Sequence, residues 1–207
     1  MVIDNLSRLT SLHLDVLREV GNIGSGHAAT ALATMLNTIV DIEIPRVTLV
    51  DIDDVYEFFG EKDDVALGLT LDITDDMDGM ILHVIQKEFV NTLTNAFFSR
   101  KLDSLYDIEE LDYSLIHEVG NITSGAYVNA LADMVRMLIN IGPPAHHLDT
   151  LENILKIPRT KVPKLHEKVF YIDQKLRIAS AEVKSSMILI LDSNSLLKLF
   201  DRLHIAY

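Results

Sequence analysis

The chain has 207 residues, 48% of them hydrophobic and 24% charged, which is enough for one sizeable core or two small ones. Its net charge of −13 argues against nucleic acid or anionic lipid as the main partner, because both would repel the protein. With no cysteine, disulfides, thiolate metal sites and cysteine nucleophiles are excluded. We expect a cytoplasmic protein without membrane insertion, since the sequence shows neither a secretory signal nor an apolar run of membrane-spanning length.

A segment of the first half recurs 99 residues later, as Asp15–Gly26 and Ser114–Gly125. Seven positions are identical, and each copy is followed by an alanine-rich helical stretch and then a proline. The repeat predicts a single domain made of two homologous halves, about residues 1–105 and 106–207. The identical pairs and the two prolines are Glu19/Glu118, Val20/Val119, Gly21/Gly120, Asn22/Asn121, Ile23/Ile122, Ser25/Ser124, Gly26/Gly125 and Pro45/Pro144.

The predicted elements follow the same order in both halves, with the motif helices beginning near Leu12 and Leu111. In the first half the pattern predicts strands at 46–50, 65–71 and 80–85, a helix at 88–98 and a polar join at 99–112. In the second half it predicts a short helix and a basic loop within 146–166, strands at 168–172, 178–183 and 187–191, and a helix at 195–203 capped by Ser193 or Asn194.

This segregated order of helices and strands favours an α+β fold rather than a doubly wound parallel sheet. We predict a two-layer molecule with pseudo-two-fold symmetry, in which helices pack on a mostly antiparallel sheet.

The motif helices separate a polar face from an apolar one, since residues three, four and seven positions apart share a side. Val16, Val20 and Ile23 are predicted to face the core, with Leu115, Val119 and Ile122 in the second copy. The glycines at 21, 24 and 26 disfavour a helix, so we expect a close chain approach or a helical break there. The predicted polar faces consist of Asp15, Glu19, Asn22 and Gly26, and of Ser114, Glu118, Asn121 and Gly125.

This pattern resembles the motif of the CheC/CheX/FliY family of chemotaxis phosphatases: Asp or Ser, three residues, Glu, two residues, Asn, and about twenty-two residues before Pro. It occurs as Asp15, Glu19, Asn22 and Pro45, and again as Ser114, Glu118, Asn121 and Pro144. Two intact copies are typical of the CheC members of the family. The likeness covers most of the chain and is weakest between 146 and 166.

The resemblance implies a hydrolase that dephosphorylates CheY-P, the aspartyl-phosphate form of a response regulator. Asn22 and Asn121 would position the attacking water, and Glu19 and Glu118 would pair with a lysine of the receiver. Asp15 and Ser114 would support them. The protein would need no cofactor or metal of its own, because the divalent cation belongs to the receiver. Asp15 places a negative charge near the phosphate where Ser114 does not, so we expect the second motif to be faster.

An alternative is a binding module that holds CheY-P, or the deamidase CheD, with little turnover. In CheC proteins CheD docks on the helix after the second proline, so the resemblance implies a CheD contact at Asp149, Leu151 and Ile154, although an ordinary amphipathic helix fits equally well. We expect a monomer, because the duplication already supplies the two-fold partner.

Two other patterns in the sequence are weaker. Gly24–Ala29 fits a loose dinucleotide fingerprint, which requires a preceding strand. His146 and His147, with Asp149 and Glu152, form the only local cluster of potential metal ligands, but a solvated helix end explains them more simply.

Overall fold

The computed structural model describes residues 11–203, with side chains from residue 14 onwards. The five helices in this range are α1 (Ser11–Leu36), α2 (Lys87–Phe98), α3 (Glu110–Val135), α4 (Leu151–Lys161) and α5 (Ser193–Arg202). The eight strands are β1 (Val40–Ile42), β2 (Arg46–Asp51), β3 (Val65–Asp75), β4 (Gly79–Ile85), β5 (Ile139–Ile141), β6 (Ala145–Thr150), β7 (Lys168–Ile178) and β8 (Ala181–Leu191). A single-turn 3-10 helix at Val55–Phe58 stands where the second half has α4. None of the described helices is long and apolar enough to cross a membrane.

The strands form one antiparallel sheet in the order β1-β7-β8-β4-β3-β5, with β2 also paired to β7 and β6 also paired to β3. The α+β class and the antiparallel sheet are confirmed. The central pair is β4 with β8, one strand from each half, in the register Ile81↔Leu189.

The two halves exchange their edge strands. β1 and β2 of the first half pair with β7 of the second, whereas β5 and β6 of the second half pair with β3 of the first. Each motif helix is therefore followed by strands that complete the other half's part of the sheet. The pseudo-two-fold arrangement follows from this crossing, and a 99-residue offset still relates α1 to α3, β1 to β5 and β2 to β6.

Each edge is interrupted at a motif proline. Pro45 lies between β1 and β2, and Pro144 lies between β5 and β6. Proline has no N–H to donate to a strand ladder, so it is tolerated at sheet edges and at breaks. The repeated proline therefore ends one short edge strand and begins the next at the same point in both halves.

Helices cover both faces of the central strands. On one face Ile81 packs with Leu17 of α1 in a core to which α3 and α5 also contribute. Helix α2 packs in a neighbouring core cluster to which α1 and α3 contribute. On the other face Met80 and Leu82 pack against Ile154 of α4. This second cover explains why β4 is buried from Met80 onwards instead of alternating.

The second half differs from the prediction at several boundaries. The structure has two long strands, β7 and β8, where the sequence predicted three. The chain turns at Ala179, which has a φ of 52° and is the second residue of the predicted strand 178–183. The cap of α5 is Asp192, whose carboxylate accepts from the Ser195 N–H at 2.7 Å, and not Ser193 or Asn194. The predicted basic loop is largely helix α4, which continues through Pro158 to Lys161.

Candidate functional site

The motif helices α1 and α3 pack against each other and place both motif copies on the surface. A Cβ at Gly24 would lie 2.9 Å from the Tyr127 Cα, and a Cβ at Gly21 would overlap the ring of Pro45. These two glycines therefore permit close packing, and α1 runs unbroken through them. Gly26 differs, because nothing lies within 4 Å of its Cβ position.

Two buried serines of the motif fasten the helices to the sheet. The Ser25 hydroxyl donates to the Gln174 side-chain oxygen of β7 at 3.1 Å. The Ser124 Oγ lies 2.7 Å from the Nε2 atom of His83 on β4. Burial lowers the pKa of His83 to about 4, because the charged imidazolium loses its hydration there. Each serine fixes the rotation of its helix and so determines which side chains face outward.

The predicted polar stripes are exposed on both helices at their motif side chains. Asp15, Glu19 and Asn22 are exposed on α1, and Ser114, Glu118 and Asn121 are exposed on α3. Within the described part of the chain, no hydrogen bond or ion pair engages Glu19, Asn22, Glu118 or Asn121. Two Glu–Asn pairs are thus presented to solvent with their polar atoms free. Their catalytic roles stay a prediction.

The apolar side of α1 is narrower than predicted. Val20 is fully buried as expected, but Ile23 is 39% exposed and Val16 is half-buried. Ile23 follows Asn22 directly, so the first motif presents an apolar contact beside its asparagine. On α3 Leu111, one turn before Ser114, is also exposed. Each motif therefore has one exposed apolar side chain near its polar residues.

The charge next to the first motif is balanced. Arg18 forms an ion pair with Asp15, with Nη1 3.5 Å from the carboxylate, and both side chains are exposed. Asp15 therefore does not present an uncompensated negative charge, which removes the reason for expecting the second motif to be faster. Ser114 donates to the Glu110 carbonyl one turn earlier at 3.0 Å.

A cluster of rings flanks the second motif. The Nε2 atom of His117 lies 2.9 Å from the Nδ1 atom of His146 on β6, and the ring of Tyr113 stacks on His146 with centroids 3.9 Å apart. Burial and the neighbouring His146 lower the pKa of His117. The equivalent residues of the first half are Leu14, Arg18 and Val47. Sequence reasoning missed this cluster because His117 and His146 are far apart in the chain.

The start of α3 is held by a buried carboxylate. Asp112 accepts from Arg100 and, at 2.9 Å, from the Glu109 N–H, while the Glu109 side chain returns an ion pair to Arg100 at 3.1 Å. The pKa of Arg100 is raised, chiefly by its hydrogen bond to Asp112. This arrangement caps the helix that carries the second motif.

Pro45 is buried against Gly21, whereas Pro144 is half-buried and Gly120 instead meets Leu69. The two prolines therefore occupy equivalent strand positions in different packing. Pro45 fixes the contact of α1 with the break between β1 and β2, and Pro144 has no matching role on α3.

Two of the three residues of the predicted CheD contact are buried in the free protein. Leu151 and Ile154 are 1% and 0% exposed, because α4 uses them to cover the sheet. Asp149 is the last but one residue of β6 and accepts from the Asn153 side chain at 2.9 Å. A partner on α4 would have to contact its outer side chains instead.

The two alternative patterns do not form sites. Gly24–Ala29 lies within α1 and follows helix rather than strand, so the geometry of a dinucleotide fingerprint is absent there. His146 and His147 do not join Asp149 and Glu152, and no three His, Asp or Glu side chains of the described residues are placed to hold a metal ion.

The sequence and the fold of this chain are similar to those of known proteins. The CheC-like family matches residues 12–49 and 113–148, which are the two motif regions. The chain is 30% identical over 198 residues to the CheY-P phosphatase CheC of Bacillus subtilis (strain 168), covering 90% of this chain and 91% of that protein. It is 26% identical over 145 residues to the flagellar motor switch phosphatase FliY of the same organism, covering 69% of this chain and 37% of FliY.

The X-ray crystal structure of Thermotoga maritima FliY has the same fold, with a TM-score of 0.73, 21% identity, and coverage of 95% of this chain and 98% of that one. Fold and paired surface motifs together define a protein of the class that contains CheC and FliY. The chain belongs to the CheC-like family, which confirms the resemblance seen in its sequence.

Proposed function

We propose that this protein dephosphorylates CheY-P through two faces, the first on α1 and the second on α3. The observation that carries the proposal is the pair of exposed Glu–Asn combinations, Glu19 with Asn22 and Glu118 with Asn121, whose polar atoms no described residue engages. Exposed side chains without local partners have no structural reason to recur identically in two copies. The Bacillus subtilis relative is a CheY-P phosphatase, which supports this use of the motif.

For this reaction the protein has mainly to position the attacking water and the phosphorylated receiver. An aspartyl phosphate is an activated acyl phosphate, so hydrolysis depends mainly on holding a water molecule in line with the phosphorus atom. The carboxamide of Asn22 or Asn121 has both a donor and an acceptor for that water. Glu19 or Glu118 would pair with a lysine of the receiver and set the distance of the asparagine from the phosphoryl group. The divalent cation of the reaction would belong to the receiver.

The decay of radiolabelled CheY-P tests the proposal. Wild type, Asn22→Ala, Asn121→Ala and the double variant are compared, with Asn95→Ala as the matched control because Asn95 is an exposed asparagine on α2 away from both motifs. We expect each single variant to retain the activity of the other face and the double variant to lose acceleration. Full activity in the double variant would contradict the mechanism.

The same experiment separates catalysis from simple binding. A protein that binds CheY-P but does not accelerate its decay would be a binding module, which is the second candidate because the same exposed faces could hold a receiver without orienting water. Equilibrium binding of CheY-P to wild type, compared with its decay rate, distinguishes the two cases, and binding to Glu19→Gln/Glu118→Gln tests whether the glutamates anchor the receiver.

Partnership with CheD and a monomeric state are also proposals. The outer residues of α4, including Glu152 and Lys156, are the part of that helix open to CheD, since Leu151 and Ile154 are buried. Binding of purified CheD to wild type and to Glu152→Ala/Lys156→Ala tests the contact. Sedimentation equilibrium tests the monomer.

A further inference from the structure

The residue one turn before each motif asparagine differs between the two faces. Arg18 precedes Asn22 by four positions, and His117 precedes Asn121 by four positions. Side chains at this spacing are neighbours on a helix surface. A phosphoryl group placed at the motif asparagine would therefore lie near Arg18 on the first face and near His117 on the second.

We propose that the His117–His146 pair makes the second face responsive to pH, gaining one positive charge on acidification that strengthens its action on the phosphorylated receiver. This inference rests on the proposed function. On the first face the charges are fixed, because Arg18 stays protonated and is balanced by Asp15 at 3.5 Å. On the second face Ser114 replaces the acid, so a proton on the pair has no counter-charge at that position.

The geometry limits the pair to one added proton. With Nε2 and Nδ1 only 2.9 Å apart, one ring donates and the other accepts, so the shared hydrogen bond survives only if the accepting nitrogen stays unprotonated. A second positive charge would break that bond and place two cations in contact. Burial and the neighbouring ring lower the pKa of His117, so His117 is neutral in alkaline solution.

The groups that face the pair leave this charge unbalanced. On α3 the facing titratable group is Tyr113, stacked on His146, and the exposed Glu118 forms no ion pair with His117. From β3 the residue registered with His146 is the apolar Leu69. Next along β6, His147 faces Lys161 of α4, whose charge helps to lower the pKa of His147. No carboxylate of the described residues is within ion-pair distance of either ring.

Variants with a single active face provide the test. Asn22→Ala leaves only the second face, on α3, and is called the second-face protein. Asn121→Ala leaves only the first face, on α1, and is called the first-face protein. CheY-P decay is measured at about pH 8 and pH 5, with the spontaneous decay subtracted at each pH. In the second-face protein we expect the acceleration to rise about two- to five-fold at the lower pH, the effect of one partly exposed charge, while the first-face protein changes by less than about 1.5-fold.

Further variants separate a charge effect from a structural one. His117→Arg in the second-face protein gives a permanent cation, so the acceleration should be high and flat with pH. Adding Ser114→Asp recreates the first-face pair and should return it to the first-face level. NMR titration of the free protein should show one proton taken up by the ring pair between about pH 8 and pH 5, and His146→Val should raise the pKa of His117.

The outcomes are distinct. A second face that is active but flat with pH, or two rings that protonate independently, would overturn this inference and leave the proposed function intact. Absence of acceleration by every variant at both pH values would overturn the proposed function and this inference together.

Discussion

Protonation of His83 is expected to destabilise the fold in mild acid. Its pKa is about 4 in the folded protein against an ordinary 6.5, so the unfolded chain binds the proton more tightly and stability is lost as the pH falls from about 6.5 towards 4. The full difference corresponds to about 3 kcal/mol, of which about 2 kcal/mol is lost by pH 5. His83 is hydrogen-bonded to Ser124 at 2.7 Å, so the lost stability concerns the packing of β4 against the helix that carries Asn121.

The assay is urea unfolding at about pH 8 and pH 5, comparing wild type with His83→Gln. The glutamine is neutral and retains a polar group near Ser124, so its stability at pH 8 can differ from wild type while its dependence on pH should be weaker by about 2 kcal/mol. His117, His147 and His166 also have pKa values lowered mainly by burial, and they contribute equally to both proteins. Equal pH dependence in the two proteins would refute the reasoning.

Three further predictions concern packing, capping and recognition. Gly24→Ala should lower the free energy of unfolding by about 1–3 kcal/mol, because the added Cβ meets the Tyr127 backbone. Gly26→Ala should raise it by up to about 1 kcal/mol, because the added Cβ meets no neighbouring atom. Urea unfolding measures both changes, and equal effects would contradict the packing argument. Asp112→Asn should cost about 2 kcal/mol, less than a fully buried pair because Arg100 is 34% exposed against 0% for Asp112; a cost equal to that of Glu110→Gln, an exposed control in the same turn, would show that the cap is unimportant. Affinity for CheY-P should fall less than about ten-fold between roughly 50 and 200 mM salt, because the proposed recognition rests on local contacts of Glu19 or Glu118 with a lysine and not on the long-range field of a chain of net charge −13. Titration calorimetry at the two salt concentrations decides, and a collapse of binding would show that steering dominates.

The sequence predicted the motif helices and the two outward Glu–Asn pairs because the internal repeat compares the chain with itself. Residues kept identical 99 positions apart, such as Asn22 and Asn121, indicate a candidate functional surface without reference to any other protein. The same comparison predicted the class of fold, since both halves show helices, then strands, then a helix.

The pairing of strands that are distant in the chain could not be predicted from local sequence patterns. Nothing in Val40–Ile42 or Ile139–Ile141 indicates that these three-residue strands cross to the other half, because a strand's partner depends on the whole sheet. Leu151 and Ile154 form an apolar stripe whose direction the sequence leaves open, and it points inward. Ile23 shows the reverse error, since an apolar residue on the expected core side is exposed.

The exchanged edge strands have a consequence for how such a protein unfolds. If the chain were cut in the join between α2 and α3, neither fragment could complete a sheet, because β3 would lack β5 and β6 and β7 would lack β1 and β2. The fragments would have to complement each other to fold at all. Because each half supplies the other's edge strands, we expect the two motif helices to lose their structure together rather than one at a time.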